Sequence, residues 1–176
     1  MKREYLIALG TVFIALLVWH FFTYRPSTKA PFLVKGNVND LAAFLESNTV
    51  VVRVIYPFSD TQGPANAAIY LTSVFAAKGK RVILQYVEGN LCYTNEGNVH
   101  QAVKVDINRC LLPYPTFVIR EGTGLIDIEG RTVYIYGDPS HLLPAASYVA
   151  GLIYPDADEV YREVMGRLER IKVPKS

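Results

Sequence analysis

One run dominates what this chain can fold into: from Tyr5 to Tyr24 it reads YLIALGTVFIALLVWHFFTY, twenty residues without Asp, Glu, Lys or Arg. As a helix rising ~1.5 Å per residue, such a run spans the ~30 Å of a bilayer's hydrocarbon core. A secretory signal peptide is the competing reading, but its apolar stretch is usually shorter and closes on small residues. Here the end is Trp19, His20, Phe21, Phe22 and Tyr24, aromatic side chains of the kind that settle at a membrane interface. The sequence predicts an uncleaved transmembrane anchor over 1–24, touching lipid through 5–24. His20 stands at the end of that span, where its ring reaches headgroups and water.

Lys2, Arg3 and the terminal amine precede the run and Arg25, Lys29 and Lys35 follow it, so the charge rule for orientation nearly cancels. A short N-terminal tail ahead of a long C-terminal domain suits a signal anchor. The expectation is a single-pass protein of the cell membrane, N-terminus cytoplasmic and domain extracytoplasmic. Formal charge divides at residue 35: five Lys or Arg against one Glu give +4 before it, and 13 against 15 give −2 after it. A domain without basic excess, and without a basic stripe interleaved with aromatics, excludes nucleic acid as a partner.

Of the 176 residues, those beyond the anchor suffice for one domain with a real core. Residues 25–36, with Pro26 and Pro31, read as a stiff linker. The domain proper is expected over 37–154. Asn39-Asp40 can cap a short helix through about Ser47 with Leu41, Phe44 and Leu45 on one face. Thr49–Tyr56 (TVVVRVIY) is a nearly continuous apolar, β-branched strand, as expected when both faces are covered. Pro64 then opens a helix carrying Ala68, Leu71 and Phe75 on one stripe and ending at Lys78-Gly79. Arg81–Val87 is a second buried-type strand, so the three form a βαβ unit with parallel strands and a right-handed crossover.

Residues 88–97 (EGNLCYTNEG) read as loop, and 100–112 are ambiguous between strand and helix. Pro115–Arg120, Leu125–Ile128 and Thr132–Tyr136 read as short strands in an antiparallel meander. Ser140 opens a helix with Leu142, Leu143, Ala146, Val149, Ala150 and Ile153 on its apolar side and Pro144 in its first turn. Residues 155–176 form a last amphipathic helix and tail, with Val160, Val164, Leu168 and Ile171 on one narrow stripe and Glu163–Arg167 as an i,i+4 pair opposite. That stripe either packs on the same domain or docks a partner helix, which makes those four residues the candidate partner interface. The fold class is α/β: a three-layer domain with a βαβ unit and a mixed sheet, preceded by one transmembrane helix.

Strand, helix, strand, then Tyr114-Pro115-Thr116-Phe117 entering a strand and hairpin, then a terminal helix, resembles the thioredoxin-like fold. That resemblance implies a cis Pro115 bordering a site. It departs from the family where the chemistry lies: the loop after the first core strand reads Pro57-Phe58-Ser59-Asp60-Thr61-Gln62-Gly63-Pro64, with no Cys-x-x-Cys and no thiol to attack a disulfide. The implication is a redox-inactive member used for binding, similar to non-catalytic thioredoxin-like subunits of membrane complexes. A second resemblance, to DsrE-like sulfur-relay proteins, rests on strand, polar loop, Ala-rich helix and Gly79-Lys80-Arg81-Val82. It implies a reactive Cys at Cys110.

Cys92 and Cys110 are the only cysteines. Three states are open: a disulfide, two buried thiols, or a reactive or metal-bound thiol. Cys92, His100 and Cys110 can be drawn as zinc ligands, but no C-x-x-C pair or fourth ligand joins them, so no metal is expected. Ser59, Asp60 and Thr61 follow a buried strand and precede a helix, where parallel α/β folds hold ligands and where amides can meet an anion. The competing reading is that they cap that helix. With Pro115 they are the candidate ligand residues. His141, after Asp138-Pro139-Ser140, is a surface residue of a first helical turn. No phosphate-loop, G-x-S-x-G or H-E-x-x-H pattern occurs, so no catalytic residue or cofactor is expected. A non-catalytic accessory or scaffolding subunit of a membrane or cell-envelope complex is the leading expectation. A thiol or sulfur enzyme using Cys110 and a small-ligand module at Ser59–Thr61 are the alternatives.

Overall fold

The computed structural model describes residues 2–23, 32–96, 99–104 and 110–172, in two units divided between Ala30 and Pro31. The first holds helix α1 (Lys2–Thr23). Among the described residues no helix is long and apolar enough to cross a membrane. Within α1 the side chains described are Arg3, Glu4 and residues 7–15, a stretch shorter than the ~20 residues a bilayer core requires.

The second unit is an α/β domain around an eight-stranded mixed sheet. Its elements are β1 (Leu33–Gly36), a 3-10 turn (Val38–Leu41), α2 (Ala42–Glu46), β2 (Thr49–Tyr56), α3 (Gln62–Ala77), β3 (Arg81–Glu88), β4 (Leu91–Glu96) and β5 (Val99–Lys104). There follow β6 (Thr116–Glu121), β7 (Leu125–Glu129), β8 (Thr132–Gly137), α4 (Leu142–Ile153) and α5 (Ala157–Lys172). The strand order is β1-β7-β8-β6-β2-β3-β4-β5. The expected βαβ unit is present, with β2 and β3 parallel in register from Thr49↔Arg81 to Tyr56↔Glu88. Helix α3 ends as the sequence indicates, at Gly79 with φ +81°, where the Lys80 N–H reaches back to the Phe75 carbonyl at 3.0 Å.

Several expectations are corrected. Leu33–Gly36, assigned to the linker, is strand β1, paired in parallel with β7. The short helix begins one turn earlier, with Asn37 as its cap: its side chain accepts from the Asn39 N–H at 3.0 Å. Leu41 and Phe44 are buried there while Leu45 is exposed. The supposed loop 88–97 contains β4, which turns back on β3 and pairs from Ile83↔Glu96 to Glu88↔Leu91.

The expected meander is also wrong: β8 lies between β6 and β7, parallel to the former and antiparallel to the latter. Burial across the paired rows, which local alternation alone does not fix, gives the physical reason. This order aligns Phe117, Val133 and Ile128 in one row and Ile119, Ile135 and Ile126 in the next, all buried. It also keeps the carboxylates of Asp127 and Glu129 near the sheet's edge, where water can reach them. Tyr114-Pro115 is not cis; among the described residues the cis peptide is Tyr56-Pro57.

The helices cover one face. Phe44 of α2 stacks on Phe117 with ring centroids 4.3 Å apart, and Phe75 of α3 meets the same ring at 5.4 Å. Helix α4 packs beside α3 and against β8. On the opposite face, among the described residues, Cys110 packs over β2, β3 and β4. A disulfide joins Cys110 to Cys92 of β4, in an apolar cluster with Val87 and Ile55. The Cys110 carbonyl accepts from Arg53 Nη2 at 3.0 Å and from Gln85 Nε2 at 2.9 Å, and Arg53 Nε donates to Gln85 Oε1 at 2.9 Å. Burial holds the Arg53 guanidinium below its ordinary pKa.

Candidate functional site

Strands β2, β6 and β8 run parallel, so their C-terminal ends lie at one end of the sheet. From β2 the chain moves out to β3; from β6 it moves the other way, toward β8. In open α/β sheets ligands bind beyond the strand ends where the order reverses. A cleft of about 390 Å³ lies there, lined by Ile55, Tyr56 and Pro57 after β2, Arg120, Glu121 and Gly122 at the end of β6, and Asp138 after β8. A neighbouring cleft of about 430 Å³ lies between the first turns of α3 and α4, with Asp60, Gln62, Gly63, Asn66, Asp138, Pro139, Ser140 and Leu143 around it.

The first cleft is framed by hydrogen bonds. Glu121 grips the loop after β2, accepting the Ser59 hydroxyl at 2.7 Å on Oε1 and the Ser59 N–H at 3.2 Å on Oε2. Asp60 Oδ1 accepts the Gln62 N–H at 2.9 Å, so it caps α3 from one residue outside the usual position, and Thr61 adds no side-chain cap. Asp138 braces the turn ahead of α4: Oδ1 accepts the Ser140 N–H and hydroxyl, and Oδ2 lies 2.8 Å from His141 Nδ1. The Ser140 hydroxyl, above all, holds the Asp138 carboxyl below its usual range. The Tyr56 phenol is pushed up by burial and then by Tyr86 and Glu88; its ring packs edge-on to Phe58 at 5.5 Å.

The candidate ligand residues are thus divided. Ser59, Asp60 and Thr61 lie at the C-terminal end of the sheet. Pro115 lies at the other end, its carbonyl accepting the Val51 N–H at 2.9 Å. Capping occupies Asp60, and an anion at this loop would face the carboxylates of Asp60, Glu121 and Asp138. Cys110 is bonded to Cys92 and both are buried, so neither is a free thiol for sulfur chemistry. Among the described residues no group of three His, Cys, Asp or Glu side chains is placed to hold a metal. His100 falls in β5, whose side chains lie outside the described set.

Of the interface stripe, Val160 and Val164 are half-buried and Leu168 is exposed, while the Ile171 side chain lies outside the described set. Helix α5 docks by its first turns. Asp158 Oδ1 accepts from the Tyr70 hydroxyl at 2.6 Å and the Ser147 hydroxyl at 2.8 Å, and Lys78 bridges Asp156 at 2.7 Å.

Sequence reading missed Tyr56, Arg120 and Glu121, and took Asp138 only as a neighbour of His141. The signal available was position: each follows or ends a strand that the sequence does reveal. What it does not reveal is which strands lie side by side. The class defined by fold and site is a mixed-sheet α/β domain with helices on one face and a polar cleft at the shared strand ends. No family model, no curated protein and no solved structure matches the chain.

Proposed function

We propose that this chain is a single-pass, membrane-tethered accessory subunit whose α/β domain binds partners rather than catalysing a reaction. The observation that carries the proposal is the unfinished docking of α5. Its first turns are tied to α3 and α4 through Asp158, yet the same stripe continues to Leu168, which is 45% exposed. A helix whose apolar stripe outruns its own domain offers the remainder to another helix or groove. The anchor half of the proposal rests on the uncharged run from Tyr5 to Tyr24. Placement of the domain outside the membrane is supported by the disulfide, which persists in oxidising compartments.

A photo-crosslinking residue at Leu168 in native membranes tests the reading. One discrete protein adduct, absent when the probe replaces exposed Glu163 on the other side of the helix, is expected. A gently solubilised chain that runs as a monomer and gives no adduct from Leu168 would overturn it.

A further inference from the structure

The two carboxylates of the first cleft are engaged, but its cation is not. Glu121 is spent on Ser59, and Asp138 on Ser140 and His141. Among the described residues Arg120 makes no ion pair or hydrogen bond. Alternation along β6 turns it to the face opposite Glu121, away from the helices. The register there is specific: Arg120 lies between Ile55 of β2 and Tyr136 of β8, and the next row on that face is Arg53, Val118 and Tyr134. Both tyrosines are half-buried, with their rings 6.0 Å apart and within 9° of parallel.

This face therefore joins an exposed guanidinium, a second guanidinium buried in the neighbouring row, a pair of parallel phenol rings and the apolar wall of Ile55 and Pro57. An unpaired guanidinium presents a planar fork matched to a carboxylate, and the parallel rings and apolar wall suit a flat apolar group. Glu121 and Asp138 repel any anion here in proportion to its charge, so a phosphate dianion is disfavoured more than a monocarboxylate, whose single charge the Arg120 guanidinium on the face opposite Glu121 can match. From this arrangement we infer that the cleft at the ends of β2, β6 and β8 binds a monocarboxylate carrying a planar ring, with Arg120, which lines the cleft, on the carboxylate and Tyr136, its register neighbour beside the cleft, against the ring.

The test is saturation-transfer NMR on the full chain in lipid nanodiscs, with benzoate as the probe and benzamide, acetate and inorganic phosphate as comparisons. Empty nanodiscs serve as the blank. Benzoate is expected to show saturable transfer, and benzamide and acetate each at least ten-fold weaker binding. Arg120→Gln should weaken benzoate ten-fold or more. Arg120→Lys, which keeps the charge without the fork, should recover part of that loss. Tyr136→Leu should weaken benzoate while leaving acetate unchanged. The inference is overturned if benzamide binds as well as benzoate, if phosphate binds more tightly, if R120Q leaves benzoate unaffected, or if no saturable transfer occurs. A retained thermal unfolding midpoint in R120Q, whose side chain makes no hydrogen bond or ion pair among the described residues, distinguishes lost binding from lost structure.

Discussion

At the scale of single residues, one polar contact seats α5: that of Tyr70 with Asp158. Tyr70 is buried among α3, α4 and α5, and its hydroxyl donates to Asp158 while its ring lies 4.7 Å from that of Tyr161. Burial first, and then the hydrogen bond to Asp158, push its phenol up to about 12. A phenol whose folded pKa is raised contributes stability that is complete below its unfolded pKa of ~10 and is lost as pH climbs through the window up to the folded value. Tyr70→Phe keeps the ring and removes the proton. It is expected to cost about 1 kcal/mol at neutral pH, as a lost hydrogen bond does. Urea unfolding at a series of pH values should also show a shallower fall between pH 10 and 12 than the parent chain. Because Tyr56, Tyr86, Tyr136 and Tyr154 are also raised, the difference between the two proteins is the readout. On the acid side, Asp156 and Asp158 are held below the usual carboxylate range by Lys78 and by Tyr70 respectively. The stability they lend is present above the ordinary Asp value and is lost as pH falls through their depressed ones.

At the scale of elements, two close approaches fix how the pieces meet. Gly63, in the first turn of α3, faces the β8–α4 turn so closely that a Cβ there would stand 2.2 Å from the Pro139 carbonyl oxygen. That neighbour is backbone and cannot swing aside. Gly63→Ala is therefore expected to lose about 1–3 kcal/mol, the usual cost of overpacking, measured as a lower urea midpoint. The second is the Cys92–Cys110 disulfide, which pins the segment leading into β6 across β2 and β3. Closing a loop of 18 residues contributes about 3 kcal/mol in the chain-entropy estimate. Thiol titration of the unfolded, unreduced protein should find no free thiol, and reduction should lower the unfolding midpoint; two free thiols before reduction would refute the pairing. Much at this scale was legible in sequence. The β-branched run of β2, the Ala-rich α3 with its Lys78-Gly79 stop and the Glu163–Arg167 pair, at 2.6 Å, all follow from local pattern. Strand β4 did not, because Cys92, Tyr93 and Thr94 sit among turn residues and pair with β3 only through tertiary structure. The insertion of β8 was equally hidden: Thr132–Tyr136 alternates the same way whichever neighbour it takes. The cleft inherits that blindness, since Arg120 and Tyr136 meet only through this pairing.

At the scale of the whole molecule, anchor, disulfide and orientation stand or fall together. A buried disulfide such as Cys92–Cys110 persists most readily when the domain faces an oxidising compartment, whereas a reducing cytosol favours free thiols. On the proposed reading, the Tyr5–Tyr24 run would fix that side, since an uncharged segment of this length partitions into a bilayer and would not slide through it with a folded domain attached. Phe13 lies near the middle of the run. Phe13→Arg places a charge at the depth where it costs roughly 2.5–3.5 kcal/mol on insertion scales, enough to move a measurable share of the chain out of the membrane. The parent chain should remain in the pellet after alkaline carbonate extraction, and F13R should shift toward the supernatant. In sealed cells, protease added from outside should digest the domain of the parent chain, whose thiols should be oxidised. A carbonate-soluble parent would remove the anchor. A protected domain with free thiols would reverse the orientation, and a protected domain with an intact disulfide would break the link between side and redox state on which the orientation rests.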